Sequence, residues 1–110
     1  MHIDIHAKDV ELNAPLREFI EEKMSDAGRL AEGMGAASVK VEVGIPSQHH
    51  HKGEKFYAEA NLTVGGHLLR AEAMHHDLHS AIVDVKEELK LQISKLKDRL
   101  TERGREAKEE

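Results

Sequence analysis

Apolar positions recur along this chain at two different intervals, and the switches between them mark out its elements. Ile3 and Ile5 alternate with His2, Asp4 and His6, the period-two pattern of a half-buried strand. Asn13 offers a side-chain oxygen to cap a helix start, and Pro15 suits the first turn, where a missing N–H costs no intrahelical bond. Leu16, Phe19, Ile20, Met24 and Ala27 follow at steps of three and four, so they share one face of a helix expected to end near Gly28 or shortly after it. From Ser38 to Ile45 the alternation returns, with Val39, Val41, Val43 and Ile45 on one face and Lys40 and Glu42 on the other. Pro46 to Gly53 reads as a loop, and Phe56, Ala58, Ala60, Leu62 and Val64 define the inner face of the next strand.

Gly65-Gly66 reads as a two-residue hairpin connection, because glycine accepts the positive φ angles of such turns. Pairing Val64 with His67 then puts Leu69, Ala71 and Ala73 on the inner face too. Asp77 can cap a long second helix whose stripe is Leu78, Ile82, Val85, Leu89, Ile93, Leu96 and Leu100, with Gly104 as its expected terminator. Strands with one apolar face and helices with one apolar stripe pack most economically with both helices on one side of the sheet. The expected fold is therefore α+β, a two-layer sandwich of order β-α-β-β-β-α with a four-stranded sheet. Small residues at Ala58, Ala60, Ala71 and Ala73 would let the helices approach closely. The domain is expected to occupy residues 1–103, and the charged segment 104–110, with nothing to bury, is expected to fray.

Composition narrows the chemistry. The chain of 110 residues is long enough for one modest core. Two Phe, one Tyr and no Trp make that core aliphatic, and the lack of cysteine excludes disulfides, thiolate metal sites and cysteine nucleophiles. No basic segment leads into an apolar run at the amino terminus, and no stretch approaches the roughly 18 apolar residues of a membrane span. A soluble, cytoplasmic protein without membrane contact is expected. The net charge of −5, from 16 Lys and Arg against 21 Asp and Glu, runs opposite to the usual footprint of a nucleic-acid binder. Any such binding must come from a local patch.

The second helix offers one. At about 100° per residue, His79, Lys86, Lys90 and Lys97 fall beside its apolar stripe within an arc of about 40° and over about 27 Å of axis. A straight row of cations suits a phosphate backbone, although lysines beside a buried stripe also serve as a solvated margin whose methylenes cover the core. Lys95 and Arg99 fall on the opposite side of the stripe. Lys8, Arg17, Lys23, Arg29 and Arg70 are further candidate RNA contacts, each with acidic residues such as Asp9, Glu18, Glu22, Asp26 or Glu72 nearby in sequence.

The segment order, the Asn13-Ala14-Pro15-Leu16-Arg17-Glu18-Phe19-Ile20 entry, the Gly-centred hairpin, and Asp77-Leu78-His79-Ser80-Ala81-Ile82-Val83-Asp84 together resemble the ribosome hibernation promoting factors. These are also called ribosome-associated inhibitors or sigma-54 modulation proteins. Lys95-Leu96-Lys97-Asp98-Arg99-Leu100 continues the resemblance, which covers nearly all of residues 1 to 100. It implies a domain that binds the small ribosomal subunit and its rRNA where messenger and transfer RNAs would sit, and that silences translation in resting cells. It also implies no cofactor, no small-molecule substrate and no catalysis. The family usually carries Tyr in place of His79 and basic residues in place of Glu88 and Leu91, so the row is kept while a second basic flank is thinned. Longer members add a ribosome-dimerising domain that a chain of this length is expected to lack, which makes a monomer off the ribosome the expectation.

The His49-His50-His51 tract could hold a transition metal, but consecutive loop side chains point in different directions and no acidic pattern completes a site. A polar loop without a resident metal is the expectation. His75 and His76 read as turn residues. His67 and Glu72 could form an acid/base pair, yet no nucleophile with an orienting partner and no phosphate loop accompanies them. The alternative from another class is a structural or protein-interaction domain of the same fold that has lost RNA binding and recruits a basic partner through its acidic surface.

Overall fold

The computed structural model describes residues 1–46 and 55–109, the last six of these by backbone alone. Its elements run β1 (His2–Lys8), α1 (Ala14–Arg29), β2 (Ala37–Gly44), β3 (Phe56–Val64), β4 (His67–His75) and α2 (Leu78–Glu109). The strands form one sheet in sequence order, β1-β2-β3-β4, with β1 parallel to β2 and the other pairs antiparallel. The parallel step is the one that α1 spans, as a crossover connection requires.

Local chemistry sets the boundaries. Asn13 accepts a hydrogen bond from the Leu16 N–H at 3.0 Å and so caps α1. Asp77 caps α2 by accepting from the Ser80 N–H at 3.0 Å and the Ser80 hydroxyl at 2.9 Å. Those bonds hold the Asp77 carboxyl below its ordinary range. Gly65 and Gly66 both take positive φ, 54° and 83°, and close the Val64–His67 register with a type I′ turn. Gly65 is constrained twice, since a Cβ there would come within 2.3 Å of the Met34 carbonyl oxygen.

The inner face of the sheet and both helical stripes bury one cluster. It contains Ile20 and Met24 of α1, Val39, Val43 and Leu62 of the sheet, and Ile82, Val85, Leu89 and Ile93 of α2. Both helices therefore cover one face, as the expected α+β sandwich requires. α2 lies over β3 and β4 and packs along α1, while the other sheet face is open to solvent.

The structure corrects the sequence reading at three places. β2 ends at Gly44, and Ile45 is 36% exposed although its parity matches Val43. The ladder closes there because β1 stops at Lys8, whose carbonyl accepts the Ile45 N–H, and because Pro46 follows. Leu100, expected in the buried stripe, is 37% exposed because α2, which starts directly after β4, by then has run back to the hairpin end and leaves the sheet. Finally, α2 does not stop at Gly104 but continues helical to Glu109. A glycine inside a helix costs only about 1 kcal/mol relative to alanine, and the Arg, Glu, Ala and Lys that surround it are good helix formers. The His49-His50-His51 tract lies outside the described residues.

Candidate nucleic-acid interface

The packing of α2 gives its two sides different environments. His79 sets its ring edge-on to Phe19 of α1, with centroids 4.5 Å apart and planes at 64°. The same Phe19 ring lies 5.1 Å below the Lys23 ammonium, a cation–π contact, and Lys23 also approaches Glu22 at 3.5 Å. The side of α2 that carries His79, Lys86, Lys90 and Lys97 is thus the one turned toward α1. Lys86 has a side chain only 14% exposed and binds Glu87 at 3.1 Å. That bond, reinforced by the Lys86 charge, holds the Glu87 carboxyl below its ordinary range. Lys90 is half-buried and Lys97 exposed, and neither has an ion-pair partner among the described residues.

The other side of α2 borders β4. Gln92 donates to the Arg70 carbonyl oxygen at 2.7 Å and to Glu88 at 3.1 Å, which ties the helix to the edge strand. Beyond it, Lys95 and Arg99 line a groove of about 450 Å³ with Leu69, Gln92 and Asp98. A second hollow brings Arg99 together with Arg103, His67, Leu96 and Leu100. Lys95, Arg99 and Arg103 are all exposed, with no carboxylate at ion-pair distance among the described residues. Between the two sides, the outward crest of α2 carries Asp84, Glu87, Asp98 and Glu102, all exposed.

The remaining sequence candidates do not join these flanks. Arg70 lies on the open sheet face, held by Glu59 at 3.3 Å and Glu72 at 3.5 Å. Arg29, in the last turn of α1, is paired with Asp26 at 2.8 Å. Lys8 is exposed at the end of β1, and Arg17 is exposed in the first turns of α1. The open face is largely self-satisfied: Glu42 accepts from the Tyr57 hydroxyl at 2.9 Å and has His6 at 4.0 Å, and Asn61 donates to Glu59 at 3.2 Å. Burial, then the bond to Glu42, pushes the Tyr57 phenol up to about 12. Among the described residues, no three His, Asp or Glu side chains converge as a metal site, and no helix is long and apolar enough to cross a membrane.

Sequence reasoning missed Arg103. Its signal was present, since Lys95, Arg99 and Arg103 follow at steps of four. Taking Gly104 as the helix terminus placed Arg103 at a fraying end rather than on a continuing flank. The role of Phe19 in joining Lys23 to His79 had no sequence signal, because it depends on how the helices pack.

Comparison with known proteins adds a context for these flanks. The family model described as sigma 54 modulation protein / S30EA ribosomal protein matches residues 3–101. A ribosome hibernation promotion factor of Deinococcus radiodurans is 29% identical over 106 residues, covering 96% of this chain and 54% of the relative. The chain thus spans about half the length of that relative. Among solved structures, the crystal structure of the Thermus thermophilus Protein Y N-terminal domain superposes with a TM-score of 0.74 at 25% identity, covering 87% of this chain and 99% of the other. A ribosomal subunit interface protein from Coxiella burnetii, at 23% identity and a TM-score of 0.70, covers 89% of this chain and 99% of its own and shares the fold.

Proposed function

The chain belongs to the sigma 54 modulation protein / S30EA ribosomal protein family, and from that membership we propose that it is a ribosome hibernation factor. In this reading it binds the small ribosomal subunit in the region where messenger and transfer RNAs sit, and so silences translation in resting cells. It acts in the cytoplasm by occupying a site, with no cofactor and no catalytic step, and is a monomer off the ribosome.

The observation that carries this reading is the contrast between paired and unpaired cations. The open-face Arg70 is held by carboxylates, whereas Lys90, Lys97, Lys95, Arg99 and Arg103 on α2 have no such partner among the described residues. A cation already bound to a carboxylate must give up that partner to neutralise a phosphate. An exposed, unpaired one releases counterions from RNA at no such cost, and that release is the main sequence-independent term in binding. The flanks of α2 therefore give local attraction to a chain whose total charge is −5.

The acidic crest favours one second reading, a domain that has lost RNA binding and recruits a basic protein. Sedimenting lysate from resting cells through a sucrose gradient separates the two. The hibernation reading expects the protein to travel with small subunits, and a protein that stays at the top of the gradient contradicts it.

A further inference from the structure

β4 is an edge strand, with β3 on one side and no strand on the other. In a two-residue hairpin the pair that flanks the turn, here Val64 and His67, exchanges both backbone bonds, and the ladder alternates from there. Leu69, Ala71 and Ala73 therefore bond to β3, while the N–H and C=O groups of Leu68, Arg70, Glu72 and Met74 point away from the sheet. The Arg70 carbonyl bears out this parity, because Gln92 of α2 reaches it at 2.7 Å. An edge of this kind is a template for another strand.

The side chains of those four residues stand on the open sheet face, all exposed, in the order apolar, basic, acidic, apolar. That order is complementary to its own reverse. A second β4, antiparallel about a two-fold axis at Ala71, sets Arg70 opposite Glu72 of the second copy and Leu68, 67% exposed, opposite Met74, 38% exposed. In both pairs the outward backbone groups meet, as hydrogen-bonded antiparallel pairs require. Sliding the copies by two residues either way sets Arg70 against Arg70 or Glu72 against Glu72, which is unfavourable, and a slip of one residue flips the faces.

α2 repeats the pattern. Toward its β4 side, within an arc of about 60°, Asp84 and Glu88 precede Gln92 while Lys95 and Arg99 follow it. All four charged side chains are exposed, and none has an ion-pair partner among the described residues. An antiparallel α2 centred between Leu91 and Gln92 sets Glu88 opposite Lys95 and Asp84 opposite Arg99 of the second copy. The Gln92–Arg70 bond puts that centre level with the centre of the β4 pattern, so one two-fold axis serves both. Helices seated over β3 and β4 in each copy then stand about two strand spacings apart, roughly 10 Å, a usual distance for packed helices.

We propose that the chain pairs with a second copy of itself along β4, forming one continuous sheet with the two α2 helices side by side. The monomer proposed for the free chain is the dilute end of that equilibrium. In the pair Lys95 and Arg99 face carboxylates, so pairing and RNA binding by this flank exclude one another.

Sedimentation equilibrium of the full chain without ribosomes tests the pairing independently of the hibernation reading. The wild type is expected to move from the mass of one chain toward that of two between about 10 μM and about 1 mM, the range of a small, transient interface. Arg70→Glu and Glu72→Arg each oppose like charges in the pair, so each variant alone should associate several-fold more weakly than the wild type. Mixed in equal amounts, the two restore unlike pairs and should associate again. Both positions are exposed, and a thermal melt checks that the variants fold. Amide exchange needs no variant: the Arg70 and Glu72 N–H groups should gain protection as wild-type concentration rises, while that of Ala71, already bonded to β3, changes little. A wild type that keeps the mass of one chain throughout, folded single variants that associate like the wild type, or a mixture that does not recover association overturns the proposal.

Discussion

Each flank of α2 carries three lysine or arginine side chains, yet the two lie in different surroundings. On the α1 side the cations are all lysines, Lys86 is nearly covered and bound to Glu87, and His79 is packed against Phe19. On the β4 side two of the three, Arg99 and Arg103, are arginines, and with Lys95 all are exposed beside shallow hollows that also include His67. Lysine presents a compact charge, while the planar guanidinium reaches phosphate oxygens with two parallel bonds. Charge and helical spacing alone make the flanks look equivalent. Packing covers most of the Lys86 side chain on one flank and leaves Lys95, Arg99 and Arg103 exposed on the other.

Both flanks depend on the same buried stripe, so removing part of it should disturb them together. Leu89, only 1% exposed, lies at its centre. Leu89→Ala is expected to cost about 2–5 kcal/mol in urea or thermal unfolding, as for other buried leucines. Leu100→Ala, at a position 37% exposed, should stay within about 0.5 kcal/mol of wild type, like ordinary surface changes. Equal destabilisation at the two sites would show that α2 stays packed on the core as far as the hairpin end.

A smaller effect separates the flanks from each other. Arg99→Gln removes an exposed cation with no ion-pair partner among the described residues, whereas Lys86→Gln removes one already engaged by Glu87. Arg99→Gln should therefore weaken small-subunit binding more, by several-fold, and titration of labelled protein with purified subunits reads the order directly. The reverse order would mean that Lys86 leaves Glu87 on binding and that the α1-facing row makes the stronger contact.

The open sheet face supplies a comparison with no expected effect on binding. Tyr57, the chain's one tyrosine, has its phenol raised to about 12 by burial and then by its bond to Glu42. Its phenolate absorbance should appear near that value, and Glu42→Gln should bring the midpoint down part of the way, since burial remains. A raised folded value means that this contribution to stability is present below the unfolded midpoint and is lost as pH rises toward about 12. Neither Glu42→Gln nor charge reversal of Lys40 on the same face should change affinity for small subunits to the extent that the α2 variants do.

Much of this was legible because it is local. Asn13 and Asp77 as caps, Gly65-Gly66 as a turn, and the stripe from Leu78 to Leu96 follow from neighbours within a few residues, and each stands where the sequence put it. Ile45 and Leu100 were misread because their fate depends on where a partner strand or the sheet ends, and the helix beyond Gly104 because one glycine was given more weight than the helix formers around it. The row on α2 was visible as an angular pattern. Which of its lysines are covered was not, because that depends on α1 packing alongside, and Arg103 was lost with the misplaced helix end.

Salt dependence tests the central claim most directly, because counterion release belongs to phosphate neutralisation and not to packing. Affinity for purified small subunits is measured across a range of salt for the wild type and for a variant in which Lys86, Lys90 and Lys97 are all changed to Glu. These side chains flank the buried stripe without filling it, so the variant should melt as a folded protein. It is expected to bind more weakly at every salt concentration, with a log–log slope flatter by up to about 0.9 for each phosphate no longer neutralised, judging from duplex nucleic acid. A folded variant with unchanged affinity and an unchanged slope would contradict the account.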